Sequence, residues 1–297
     1  MILEKMTHHN VPARMRQVRA TRMRRRYTVS LLYILACILA VLIGFPMFWM
    51  FTGAFKSNAE ILSIPTTILP AHWTLENFQL LWNTFDFNLY FWNSLWLALV
   101  RSVIPAFTSA LLGYVFAKIR FPGGTTLFLL VIATMMLPSA ITLIPSYILM
   151  FHLGWLNTYW PLIIPNIFNP YGIFLMRQMM KQLPDETLDA GRIDGASEWQ
   201  LFRRIALPSA LPGVMAIFII TFIAAWDDFT WPLLILNDTS FYTLPLGLAT
   251  FSAEPLHATD YGPQLAGALL TTLPVALVFY FGQRRIVESG LFAGLRA

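Results

Sequence analysis

The sequence predicts an all-α polytopic membrane protein with six transmembrane helices. Two properties of the composition carry that reading: 57% of the 297 residues are hydrophobic and only 12% are charged. The third is their arrangement, because the apolar residues gather into runs of about twenty, the length that crosses a bilayer as helix. A soluble chain is about a quarter charged, so this one lacks the charge to face water all round, and its mean hydropathy is +0.61. The same composition excludes disorder and collagen-like repeats. Cys37 is the single cysteine, so no intrachain disulfide forms.

The expected spans lie near 29–54, 91–116, 127–150, 159–176, 212–236 and 264–283, preceded by a basic arm over 1–28. The first run, Leu31 to Phe51, is longer than a signal-peptide core and no small-x-small cleavage site follows it, so it reads as a retained span. The connection from 55 to 90 exceeds a hairpin. Its Pro65, Pro70, Trp73 and Trp82, with Trp92 just beyond, suit a partly ordered segment at the membrane interface. The spans themselves carry Pro46, Pro105, Pro138, Pro145, Pro165, Pro170, Pro232 and Pro274. Each removes a helical hydrogen bond, so kinked helices packed on other protein segments are expected.

The basic residues orient the chain. Eight lie in the arm (Lys5, Arg14, Arg16, Arg19, Arg22, Arg24, Arg25, Arg26), two in the 117–126 connection (Lys118, Arg120), five in the 177–211 connection (Arg177, Lys181, Arg192, Arg203, Arg204) and three in the tail (Arg284, Arg285, Arg296). The remaining connections hold only Lys56, and Arg101 falls within the second span. The positive-inside rule then places both termini and both basic connections in the cytoplasm. No aromatic residues interleave with the arginines of the arm and no nucleic-acid-binding fold follows, so its charge reads as a topology signal and not as a nucleic-acid site.

The 177–211 connection is polar and has its own internal structure. Asp185 and Glu186 after Pro184 suit a helix start, where the dipole favours negative charge. Asp194-Gly195 is a turn signal, and Ser197 with Gln200 forms a capping box that opens a second short helix. That helix carries Trp199, Phe202 and Ile205 along one face, and Pro208 is expected to end it. Helix, glycine turn and helix over 183–208 thus lie on the cytoplasmic surface with exposed apolar side chains. Such a surface suits either a protein partner or lipid headgroups.

At these residues the chain resembles the permease subunits of binding-protein-dependent ABC importers, whose signature runs Glu-Ala-Ala, three residues, Gly, about nine residues, then Ile-x-Leu-Pro. Asp189, Ala190, Gly191, Gly195, Ile205, Leu207 and Pro208 stand at that spacing. The carbohydrate branch, the MalG-like group, is similar further along the chain too: Asn93 to Leu95 at the second span, Leu137-Pro138, Ile144-Pro145, a Trp226-Asp227-Asp228-Phe229 element and a Gln-Arg-Arg tail. Asp189 stands where Glu is usual, Gly191 where the second Ala is, and Asp227 where Asn is. The resemblance implies that the loop is a coupling helix seated on a cytoplasmic ATPase, with Asp189, Ala190, Gly191, Arg192, Asp194, Gly195, Ala196, Trp199, Phe202, Ile205, Leu207 and Pro208 as its residues. Trp199 and Phe202 would anchor it, and Asp189 and Arg192 would meet partner charges. The alternative is a surface hairpin without a partner.

The resemblance also implies a second permease subunit, two ATPase subunits carrying ATP and Mg, an extracytoplasmic solute-binding protein, and a bacterial-type inner membrane location. No phosphate loop, HExxH or GxSxG motif occurs, and His8, His9, His72, His152 and His257 show no metal-ligand spacing. Catalysis, metal and cofactor are therefore not expected in this chain. A charge inside a span usually faces a bundle interior or an aqueous path. Arg101, facing Asp227 and Asp228 or lining a polar path with Asn166, Asn169 and Trp226, is the candidate translocation element; snorkelling or a structural contact is the alternative. Gly290 and Gly294 form a weak GxxxG spacing beyond the last span, and tail arginines suit either the ATPase or lipid. The reading is an importer permease for a carbohydrate or related polar solute. The rival is a stand-alone secondary transporter or channel, which needs inverted repeats or an ion-coupling cluster.

Overall fold

The computed structural model describes residues 11–254 and 259–288, with side-chain surroundings for 28–254 and 259–283. Lys5, His8, His9, His257, Arg296 and the Gly290/Gly294 spacing lie outside the described residues, as do the side chains of Arg14 to Arg26 and of Arg284 and Arg285. All regular structure among the described residues is helical.

Among the described residues three helices are long and apolar enough to cross a membrane unbroken: α1 (Val11–Ala54, apolar from Thr28), α4 (Phe87–Lys118) and, at the C-terminal end, the fifteenth helix Tyr261–Glu288. Pro46, Pro105 and Pro274 sit inside them without ending them. Short α2 (Asn58–Ile61) and α3 (Glu76–Thr84) occupy the long connection between the first two. There Asn77 Nδ2 donates to the carbonyls of Ala54 and Lys56 at 2.8 and 2.6 Å, and buried Lys56 lies over the Trp49 ring and donates to the Thr67 carbonyl.

The other expected spans are interrupted. The 127–150 stretch is α5 (Gly124–Thr134) and α6 (Ser139–His152), bent by 98° at Pro138, which leads into α6 in extended conformation. The 159–176 stretch is not one span-length helix: α7 (Trp160–Ile163) and a 3-10 turn give way at 167–169 to α8 (Pro170–Lys181). Pro161, Pro165 and Pro170 each lack a helical donor, and Asn169 caps α8 by accepting from the Gly172 amide at 3.1 Å, so the chain restarts there. The surface loop forms α9 (Asp185–Ile193), α10 (Glu198–Leu201), a π turn Phe202–Ala206 and α11 (Leu207–Ser209), then bends by 76° into α12 (Leu211–Trp226). Pro208 does not end this helix. The wide π turn, in which the Leu207 amide reaches back to the Phe202 carbonyl, accommodates the proline, and the chain breaks at Ala210 instead. The expected 212–236 helix stops at Trp226, breaks at 227–229 and resumes as α13 (Thr230–Ile235). A further α14 (Leu244–Ala253), where a plain connection was expected, precedes α15, the 261–288 helix.

Helix α4 is the axis of the fold, packed on α8 and α12, while α12 also meets α15 and α15 meets α1. All three buried clusters include α4 residues: Tyr90 and Ala98 with Phe222, Trp226 and Phe251; Leu97 with Leu162 and Ile235; Ala106, Ala110 and Tyr114 with Met176, Phe202 and Ile217. Asn93 Nδ2 donates to the carbonyls of Ser240 and Tyr242 at 2.9 and 3.0 Å, and Ser94 Oγ accepts from the Leu244 amide at 2.7 Å. These two residues therefore dock the α14 segment. Helix α1 from Thr28 onward is exposed along most of its apolar length, as a lipid-facing helix would be.

The α4–α8 approach depends on Gly113. A Cβ there would meet the Met176 side chain at 2.5 Å and backbone atoms of Met176 and Arg177 at 2.8 and 2.9 Å. Backbone cannot rotate away, so Gly113→Ala must push the helices apart. The expected cost is about 1–3 kcal/mol, read as a lower melting temperature of the detergent-purified protein.

Candidate functional site

Two sites hang on α4, one at its C-terminal end and one near its middle. The first is the hairpin of α9 to α11. Helix α9 starts at Asp185 behind extended Pro184 and ends in a Schellman turn: the Ala196 amide donates to the Gly191 carbonyl and the Gly195 amide to the Arg192 carbonyl, both at 3.0 Å. Gly195 has φ +82°, the left-handed region that glycine enters without steric cost. The Ser197–Gln200 capping box read from the sequence is present at the start of α10. Gly191 leaves space for the second arm, since a Cβ there would lie 2.5 Å from Leu201 Cδ2.

Four charges of the hairpin, Asp185, Asp189, Arg192 and Glu198, are paired within the chain. Arg192 Nη1 donates to Asp189 at 2.7 Å and its Nε to Glu198 at 2.8 Å, while the Tyr114 hydroxyl donates to the other oxygen of Glu198 at 2.7 Å. Lys118 Nζ adds bonds to Asp185 at 2.6 Å and to the Leu183 carbonyl at 2.5 Å. Asp189 and Arg192 thus pair with each other within the hairpin, both side chains staying more than a third exposed. Phe202 is not the outward anchor expected: it is 1% exposed, its ring 5.6 Å from Tyr114 and 6.2 Å from Phe107. The π turn places Phe202 and Ala206 inside, and Ile205 is half-buried. The large apolar residues left outside are Trp199, 52% exposed, and Ile193, 87% exposed. Ile193 was not singled out from the sequence, although an isoleucine ending a polar surface helix is a usable signal.

The Arg192 hydrogen bond, joined by the Tyr114 hydroxyl, holds the Glu198 carboxyl below its ordinary value. A depressed carboxyl contributes stability that is complete above the ordinary glutamate value of about 4.3 and is lost as pH falls through the folded value. Both partners are more than a third exposed, so the bridge contributes less than about 1 kcal/mol. Amide exchange across 190–201, corrected for intrinsic rate, should stay level between pH 8 and about 6 and rise only well below 4.3. In Glu198→Gln that acid-dependent rise should be much reduced.

The second site is a pair of adjoining cavities, about 590 and 820 Å³, where α4, α6, the α7–α8 break and the α12–α13 break converge. Arg101, Ser139, Thr142 and Asn166 line both. Arg101 Nη2 donates to Asp228 Oδ2 at 2.8 Å, with both side chains largely buried, and Asp228 is fixed in turn by the Trp231 amide at 3.4 Å. The Arg101 Nε is buried without a partner. Asn169 lines the smaller cavity, and Asn166 Nδ2 donates to the Leu162 carbonyl at 2.8 Å, leaving its oxygen as an acceptor. Two expected members are elsewhere. Trp226 is 1% exposed with its indole N–H on the Thr271 carbonyl at 3.0 Å, so it joins α12 to α15. Asp227 is exposed and lines neither cavity, because the chain turns between it and Asp228. Ser139, Thr142, Ser146 and Trp155 were missed, since nothing in an apolar run marks which hydroxyl faces a break.

Comparison with known proteins places this arrangement. The chain is 34% identical over 261 residues to the arabinooligosaccharides transport system permease protein AraQ of Halalkalibacterium halodurans, covering 86% of this chain and 92% of that protein. It is 34% identical over 258 residues to the sn-glycerol-3-phosphate transport system permease protein UgpE of Pectobacterium atrosepticum, covering 85% and 91%. Among solved structures it is similar in fold to a chain of a bacterial ABC transporter involved in the import of the acidic polysaccharide alginate, with TM-score 0.80 at 19% identity, covering 88% of this chain and 97% of that one. Residues 109–289, from mid-α4 to the end of α15, match the family described as binding-protein-dependent transport system inner membrane component. The chain belongs to that family, and is a membrane transport permease rather than an enzyme.

Proposed function

We propose that this chain is one permease subunit of an ATP-driven importer and forms part of the path for a carbohydrate or related polar solute. The observation that carries the proposal is that one helix, α4, holds both sites: Tyr114 and Lys118 grip the hairpin, and Arg101 lines the cavity. A push on the hairpin is thereby delivered to the cavity wall along one continuous helix. The hairpin presents Ile193 and Trp199 to a cytoplasmic ATPase as apolar anchors, and ATP-driven closure of two such subunits turns the cavity outward, where a solute-binding protein delivers its cargo. ATP and Mg belong to those partners, and a second permease completes the path.

In this reading residues 29–297 form a six-span domain behind the 1–28 arm. The broken stretches 124–152, 160–181 and 211–235 supply the crossings beyond the three continuous helices, with non-helical backbone at the cavity, where such backbone is tolerated. The basic connections and both termini face the cytoplasm, where the hairpin meets its partner. To test the assignment, the C-terminus is tagged and the protein purified from native membranes in mild detergent. Co-purification of an ATPase and a second polytopic chain is expected; recovery of this chain alone, from membranes in which it transports, overturns it.

A further inference from the structure

We infer that the cavity beside Arg101 takes an uncharged saccharide and discriminates against sugar acids and phosphates. The inference rests on the reading of this cavity as the translocation path. Relatives of similar sequence are named for an uncharged oligosaccharide and for a phosphate ester alike, so similarity alone does not choose. The charges do. Among the described residues Arg101 is the only cation lining either cavity, and its charge is paired with Asp228 through Nη2 at 2.8 Å, while its Nε is left as a buried donor. One carboxylate against one guanidinium leaves no net positive charge for an anion, and a carboxylate or phosphate in the cavity would stand close to Asp228 without a counter-charge of its own.

The rest of the lining suits a neutral polyhydroxylated molecule. Ser139, Thr142 and Ser146 follow one another at helical spacing on α6, and Asn166, whose Nδ2 is taken by the Leu162 carbonyl, lines the same cavity. Ser139 and Ser146 donate and accept without charge, and Thr142, whose hydroxyl donates to the Ser139 carbonyl at 3.0 Å, accepts. Trp155 and Trp231 wall the larger cavity, and the Trp231 indole is held by the Pro161 carbonyl at 2.9 Å. Broad aromatic surface beside a few placed polar groups is the composition of a neutral ligand site.

The test is charge-selective thiol labelling of the assembled permease–ATPase complex. Thr142→Cys is introduced after Cys37→Ala removes the native thiol, and uncharged, anionic and cationic methanethiosulfonates are compared. All three should react, with an anionic-to-cationic rate ratio within about threefold of that for free cysteine; Asp228→Asn, which strips Arg101 of its counter-charge, should raise that ratio more than about tenfold. A ratio already raised tenfold or more with Asp228 intact would overturn the inference. Failure of even the uncharged reagent to react would instead sink the path reading beneath it. Protection supplies a readout that needs no change at Asp228: lactose at high concentration should slow labelling of the thiol introduced by Thr142→Cys, and glycerol 3-phosphate at equal concentration should not. The reverse order would also overturn the inference.

Discussion

Gly195→Val should cut ATP-driven uptake by more than about tenfold, whereas Gly195→Asn should keep most of it. No atom lies within 4 Å of a Cβ built at Gly195, so bulk is not the obstacle. The obstacle is φ +82°, which costs an ordinary L-residue about 1–2 kcal/mol and a β-branched one at least the upper end. Asparagine enters this region with less penalty. Loss of the left-handed turn removes both Schellman hydrogen bonds and changes the angle between α9 and α10, and with it the spacing of Ile193 and Trp199. Proteoliposome uptake and ATPase rates of the two variants are the measurement. Equal activity of valine and asparagine variants would show that the turn is not what transmits force.

Arg101→Leu should damage the protein more than Asp228→Asn does, and the double variant Arg101→Leu with Asp228→Asn should recover much of the loss. Removing the arginine strands a carboxylate that is 18% exposed at the α12–α13 break, a loss of up to about 3 kcal/mol, the low end for a buried pair because cavity water relieves part of it. Asp228→Asn leaves an arginine that still hydrogen-bonds an amide oxygen. Melting temperatures of the four proteins give the coupling energy directly. A coupling near zero would mean that the two groups meet only incidentally.

What was legible in the sequence follows from how local each signal is. The caps and turn of the hairpin were readable, because Pro184-Asp185, Asp194-Gly195 and Ser197 with Gln200 are punctuation that acts over three or four positions. The continuous helices α1, α4 and α15 were readable because their prolines sit in otherwise unbroken runs. Run length measures composition and not direction, so the bends at Pro138, at 167–169 and at 227–229 passed as interior to spans. The inward turn of Phe202 was hidden for a related reason. A π turn shifts the helical phase, and only the hole between Phe107 and Tyr114, contributed by a helix ninety residues earlier, shows which face is used. Arg101 stood out as an intramembrane charge, but the sequence offered two aspartates; the geometry at the α12–α13 break selects Asp228 and leaves Asp227 outside the cavity.

The central claim, that force from ATP reaches a cavity in this chain through the hairpin and α4, is tested most directly by transport in proteoliposomes holding the purified complex and its binding protein. The account predicts uptake that requires internal ATP, persists when every ion gradient is collapsed, and is lost in Gly195→Val. Uptake that continues without ATP and stops when an ion gradient is collapsed would contradict it.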